Sequence, residues 1–222
     1  MHGLSLSTHG QLVHTVWNEL RTEGYYDEAG EDIVRPRGGP RMQPIRPLMA
    51  EHQTILHMTA NIARQVKSFR EAGRVEGRYV DAATDFIRTY ADGCHHGKEE
   101  GILFRELAKK DLDPKLGGLM GQLIREHAWA RTLTQRLVDL NQAGSETDPN
   151  ELENVLRPLH QLASFYPGHI TKEESRFFAP CMDYFTLEEQ EAMLREFAEF
   201  DRTLIHEKYQ RLMEELERGS DV

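Results

Sequence analysis

Two stretches of this 222-residue chain carry the same phrase. HHGKEEGILF at 95–104 and HITKEESRFF at 169–178 share H-x-x-K-E-E followed by phenylalanine at the same distance. A histidine and a glutamate four residues apart share one helix face, about 6 Å apart along the axis. His95 with Glu99, and His169 with Glu173, therefore each offer one imidazole and one carboxylate to the same space. Two further histidines, His52 in AEHQ and His127 in REHA, precede these phrases. The offsets between halves are 75 for His52 and His127, 74 for His95 and His169, and 74 for Glu99 and Glu173, so one helix pair reads as duplicated with its register kept. Two carboxylates buried among imidazoles suffer a large desolvation cost unless a cation sits with them. This nitrogen and oxygen set is of borderline hardness and suits iron, manganese or zinc, since it lacks the thiolates that favour copper(I) or iron–sulfur chemistry. Two divalent ions fit the six side chains better than one. Each takes two histidines, both glutamates bridge, and open positions remain for water, an oxo bridge, oxygen, peroxide or nitric oxide.

Those six residues meet only if the intervening elements return them to one height. From residue 44 onward apolar residues recur at three and four, with no period-2 alternation, so the chain reads as all-α. Leu48, Ile55, Thr59, Ile62, Val66 and Phe69 stripe a first helix that ends at the glycines of 71–77, and a second follows over about 78–110. Asp113-Pro114 caps a third, striped by Leu116, Met120, Leu123, Ala130, Leu133 and Leu137, which runs out at NQAGSET. A capping box at Asp148 opens a fourth helix along Leu152, Val155, Leu159 and Leu162, with kinks expected at Pro158 and Pro167. A second box, Thr186 to Glu189, opens a fifth helix over about 187–217, with Met193, Phe197, Phe200, Leu204 and Leu212 inward. In an up-down bundle two residues share a height when the turn lies at their midpoint. The midpoints of His52 and His95, of His95 and His127, and of His127 and His169 fall at Gly73, beside Asp113-Pro114 and at Asp148-Pro149. All three are expected turns.

Composition narrows the surroundings. A formal charge of −10, with charges interspersed along the helices, argues against nucleic acid as a partner. No run approaches about 18 apolar residues and the N-terminus lacks an export signal, so no membrane span and a cytoplasmic location are expected. Cys94 and Cys181, far apart, make neither a disulfide framework nor a zinc knuckle. Residues 1–43 read as an N-terminal extension, a short helix around 11–20 followed by a loop rich in glycine, charge and proline, and 44–222 as the metal-binding bundle. A protein partner or a homodimer is compatible with this surface.

The residues resemble the hemerythrin-like (HHE cation-binding) family, whose signature is H, HxxxE, H, HxxxE on four consecutive helices. PLMAEH, FIRTYADGCHHGKEEGILF, FYPGHITKEESRFF and EFDRTLIHEKY carry the resemblance over roughly 44–217. It implies an up-down four-helix bundle, here with an extra C-terminal helix and an N-terminal extension, holding a non-haem di-iron centre on His52, His95, Glu99, His127, His169 and Glu173. It also implies roles in handling oxygen, peroxide or nitric oxide, in oxidative or nitrosative stress, in sensing, or in repair of iron centres. Oxygen-carrying members place HxxxH on the third helix, whereas here Arg131 follows His127, which speaks against reversible oxygen carriage. The first 43 residues also lack the cysteine motif of the repair proteins.

Several neighbours have plainer readings. His96 and Glu100 form a competing pair, but Ile170 stands where a second His96 would align, so His95 is the expected ligand and His96 a partly exposed neighbour. Glu100 and Glu174 are read as solvated or at most as orienting ligands, and Lys98 and Lys172, one residue before the glutamates, as facing away. Tyr166 is read as core, His57, His160 and His206 as surface or packing residues, and Cys94 as inert. Three function classes follow: a di-iron protein that binds or reduces a small oxidant, a metal- or oxygen-responsive module acting through a partner, and a bundle with a purely structural metal such as zinc.

Overall fold

A computed structural model of the chain describes residues 43–143 and 149–219, with side chains placed over 43–143 and 152–203. The extension expected before residue 43, the Asp148 cap, the inward positions of Leu204 and Leu212, and His206 lie outside the described residues. Five helical rods make up the rest: α1 (Ile45–Ala72), α2 (Gly77–Phe86, Ile87–His96, Glu99–Phe104 and Arg105–Leu107 in succession), α3 (Pro114–Gln142), α4 (Pro149–Lys172, continuing through Glu173–Phe177 to Phe178–Met182) and α5 (Leu187–Gly219). No strand occurs among the described residues. None of the helices is long and apolar enough to cross a membrane.

The expected signals set the boundaries. All six residues of the α1 stripe are buried. The helix stops at Gly73, whose φ of 68° is a left-handed conformation that a side chain would strain, and whose N–H caps the Phe69 carbonyl. The Asp113 side chain accepts from the Lys115 N–H at 2.8 Å at the start of α3, with Pro114 in the first turn where its missing N–H costs nothing. Thr186 and Glu189 satisfy each other's backbone N–H groups at the start of α5. Helix α2 ends at Leu107, three residues before the expected 110. Pro158 and Pro167 both sit inside the continuous Pro149–Lys172 segment.

One feature of the backbone has no sequence precedent. The segments Ile87–His96, Glu99–Phe104 and Glu173–Phe177 are wound as π-helix; the first two overlap the first H-x-x-K-E-E phrase on either side of Gly97 and Lys98, and the third takes in the two glutamates that end the second. The wider turn of a π-helix reduces the rotation between consecutive residues, so neighbours in sequence come closer to sharing a face.

Helices α1 and α4 pack along each other, as do α4 with α3 and α3 with α2, which is the neighbour pattern of an up-down four-helix bundle. Helix α5 lies against the π-wound part of α2. Gly97 permits that approach, since a Cβ there would stand 2.6 Å from Phe200 Cζ. The apolar interior forms two clusters. One holds Ile55, Ile62, Ala91, Ala130, Leu162 and Tyr166 among others. The other holds Leu48, Leu103, Leu123, Phe177, Phe178 and Phe197 among others. Along each of the four bundle helices the chain passes from one cluster to the other across the level of His52, His95, His127 and His169. A buried polar layer thus interrupts the hydrophobic core at one height.

Candidate metal centre

The six sequence-derived residues meet in that layer, all at most 2% exposed. Their pairing follows the helix order. His52 Nε2 lies 3.0 Å from His95 Nε2, and His127 Nε2 lies 3.1 Å from His169 Nε2. The two carboxylates run between the pairs. Glu173 places one oxygen 3.2 Å from His52 Nε2 and the other 3.0 Å from His169 Nε2 and 3.5 Å from His127 Nε2. Glu99 places one oxygen 3.6 Å from His95 Nε2 and the other 3.5 Å from His127 Nε2. Each carboxylate therefore faces both histidine pairs.

What surrounds these side chains fixes the protons on the imidazoles. His52 Nδ1 is 2.9 Å from Glu174, His95 Nδ1 is 2.9 Å from Glu51, His127 Nδ1 is 2.7 Å from Glu100, and His169 Nδ1 is 2.8 Å from Glu126. An ionised carboxylate only accepts, so each Nδ1 carries the proton and each Nε2 presents a lone pair to the centre. Lone pairs 3.0 Å apart repel. The four oxygens of Glu99 and Glu173 are likewise buried without a hydrogen-bond partner. Orphaned acceptors converging from four nitrogens and four oxygens are what a cation pair would satisfy, so the residues present fit two metal ions.

The electrostatics show the same strain. Burial, with Glu173 beside it, pushes the Glu99 carboxyl well above the usual carboxylate range. Burial pushes His95 down to about 4 and His96 well below the usual imidazole range, so both are neutral and free to donate a lone pair at neutral pH.

The outer partners repeat with the duplication. Glu51 and Glu126 are 75 positions apart, and Lys98 and Lys172, like Glu100 and Glu174, are 74 apart. Lys98 does not face away. Its ammonium pairs with Glu51 and lies 2.8 Å from Asp201 of α5, and its side chain is 1% exposed. Lys172 pairs with Glu126 in the same manner. In the phrase H-x-x-K-E-E the lysine thus steadies the carboxylate that orients the histidine of its own helix. The second glutamate orients a histidine elsewhere in the bundle, His127 for Glu100 and His52 for Glu174. The lysines were missed because a single α-helical wheel turns them away from the ligand face. The glutamates before His52 and His127, in AEHQ and REHA, carried a readable signal in their shared offset.

Residues 43–181 match the hemerythrin HHE cation binding domain. The chain belongs to that family. No curated protein and no solved structure matches the chain. The hemerythrin match stops before α5, which lies outside it. The protein is accordingly a metal-cation-binding helical domain with His and Glu clusters at the level where the hemerythrin signature falls.

His96 is not partly exposed. It is 1% exposed, because the π-wound turn draws it inward beside His95 and it stacks on His127 with ring centroids 3.8 Å apart. Tyr166 is core, as read, with its hydroxyl lacking a hydrogen-bond partner. Its ring lies 6.3 Å from that of His96. A cleft of about 640 Å³ is lined in part by Asp92, His96, Arg131 and Tyr166. His57 and His160 are exposed. Cys94 lies off the centre and donates to Asp201 at 3.3 Å. Burial raises its thiol well above the usual range, which keeps it protonated.

Proposed function

We propose that this hemerythrin-family chain holds a di-iron centre, with manganese or zinc as alternatives, on His52, His95, Glu99, His127, His169 and Glu173, and that it binds or reduces a small oxidant such as oxygen, peroxide or nitric oxide. The carrying observation is the pair of buried carboxylates that each face two histidine pairs and have no other partner. Iron bound there would supply open positions for the oxidant and electrons to reduce it. The chain supplies the rest. Four carboxylates hold the imidazoles in one tautomer, and the apolar clusters above and below exclude water from the layer. Protein purified without chelator from iron-replete cells is expected to contain two irons per chain and to show near-ultraviolet or visible bands that change on adding peroxide. Colourless, iron-free protein overturns this reading, and stoichiometric zinc with no ligand-linked spectrum would leave a structural metal.

A second reading rests on Asp201. This α5 residue bonds Lys98, which pairs with Glu51, which accepts from His95. The metal position is thereby linked to a helix beyond the matched domain, as a sensor acting through a partner would require. Limited proteolysis of α5 is expected to slow on metal loading; equal cleavage rates with and without metal remove the sensor reading.

A further inference from the structure

Aromatic rings pack on the paired histidines, and one series of them reaches the surface. Phe178 stacks on His52 with centroids 5.6 Å apart and Phe104 on His127 at 6.1 Å, and both phenylalanines are buried. His169 differs. Its imidazole stacks on Phe165 at 5.0 Å with 25° between planes, and Phe165, half-buried, meets Trp129 at 4.9 Å. Both steps lie in the contact range of aromatic pairs. Trp129 is 41% exposed and is the one aromatic among the exposed large hydrophobic side chains of the described residues.

Helix spacing builds the series. Phe165 precedes His169 by one turn of α4, so the two rings share a face, while Trp129 stands two residues after His127 on α3 and is turned off the ligand face. A single exposed tryptophan needs no explanation. A continuous run of ring contacts from it to a metal-facing imidazole does. In the other half of the duplication Thr54 and Ala91 correspond to Trp129 and Phe165, so the series is built for His169 and has no counterpart at His95.

We infer that Trp129 and Phe165 form a one-electron route between the protein surface and the metal position at His169. The inference rests on the proposed iron centre and its reaction with peroxide. An indole gives up an electron far more readily than a phenyl ring, so Trp129 is the donor and Phe165 the bridge. Reducing peroxide to two waters takes two electrons and two protons. Where the bound iron has already given its electrons, the chain supplies them: the Trp129 indole releases one electron through Phe165 and its N–H proton to solvent. A soluble thiol returns one electron and one proton to the indole, and a second such cycle completes the reduction, leaving two waters and the disulfide of the thiol. Without thiol the indole stays oxidised and takes up oxygen from dioxygen or water.

Peptide mapping by mass spectrometry of the full-length protein, after brief exposure to peroxide without thiol, tests this by a readout other than turnover. Trp129 is expected to carry added oxygen in the iron-loaded protein and to stay unmodified in the zinc-loaded and chelator-stripped forms. Met49, 38% exposed, reports freely diffusing oxidant and is expected to be oxidised equally in all three. In Phe165→Leu the Trp129 product per bound iron is expected to fall to the zinc-loaded level. Equal Trp129 oxidation with iron and zinc, or an iron-dependent rise at Met49 that matches it, overturns the route, as does an unchanged yield in Phe165→Leu. Absorption bands that respond to peroxide while Trp129 stays unmodified overturn the route and leave the iron centre intact. Bands that do not respond overturn the centre and the route together. The comparison of iron with zinc in the unaltered chain does not depend on whether Phe165→Leu folds.

Discussion

The duplicated lysines provide an internal control for how much a buried charge matters. Lys98 is 1% exposed and is the cation for both Glu51 and Asp201, whereas Lys172 and its partner Glu126 are each 20% exposed. Replacing Lys98 by Met fills the volume but leaves Glu51, whose side chain is 7% exposed, without its counter-charge, and breaking a buried pair in this way costs about 3–5 kcal/mol. Lys172→Met breaks a pair that water can still solvate, which costs about 1 kcal/mol or less. For a chain of this size about 2–4 °C of melting temperature accompanies each kcal/mol. Lys98→Met is therefore expected to melt about 6–20 °C below the parent and Lys172→Met no more than about 4 °C below. Circular dichroism melts in chelator isolate this from metal binding, which would otherwise add its own stabilisation. Both variants are also expected to hold metal about 10-fold less tightly, because each lysine steadies a glutamate that orients one histidine. Equal melting losses, or the larger loss at Lys172, would refute the assignment of Lys98 as a buried counter-charge.

The remaining predictions concern the carboxylates and the α5 contact. Glu99→Gln and Glu173→Gln are each expected to lose metal to a similar degree, read by elemental analysis, since each carboxylate faces both histidine pairs. Glu100→Gln and Glu174→Gln, which helical spacing alone would leave near the parent, are expected to lose about 10-fold in metal affinity by competition with a chromophoric chelator. Parent-like affinity in both would show that the contacts to His127 and His52 do not orient those rings. Gly97→Ala is expected to destabilise by about 1–3 kcal/mol in urea because its Cβ would meet Phe200 at 2.6 Å. Gly101→Ala, which meets nothing within 4 Å, is expected to be neutral or to stabilise by up to about 1 kcal/mol; a comparable loss there would remove the role given to Phe200.

The bundle was legible because its signals are local. Apolar residues at three and four, the Asp113 and Thr186 caps, and the glycine at 73 each specify one boundary without reference to the rest of the chain. The six central residues were legible because the duplication repeats them at offsets of 74 and 75. What stayed hidden depends on departures from ideal helix. A regular wheel puts His96 and Lys98 off the ligand face, and only π winding and the packing of α5 enclose them. No residue type announces a π turn, so this could not be read from spacing. The partners of Lys98 show the same limit: Asp201 lies 103 positions away on a helix outside the duplication.

The two halves do not differ at random. Outside the six central residues, the glutamates and lysines that brace them are also kept: Glu51 with Glu126, Lys98 with Lys172, Glu100 with Glu174. Among the differences near the centre, three polar residues of one half, Asp92, His96 and Arg131, correspond by offset to Tyr166, Ile170 and Leu56. These three polar residues touch one another in series, Arg131 bonding Asp92 and Asp92 facing His96, while their counterparts are apolar or carry an unpaired hydroxyl. Each alone in a buried setting would be costly: a histidine without Asp92 loses its Nδ1 partner, and Asp92 without Arg131 is a half-buried charge without its cation. They are tolerable together and not singly, so the set is best understood as one device present in one half only. Its effect is to make the environment of His127 and His169 differ from that of His52 and His95.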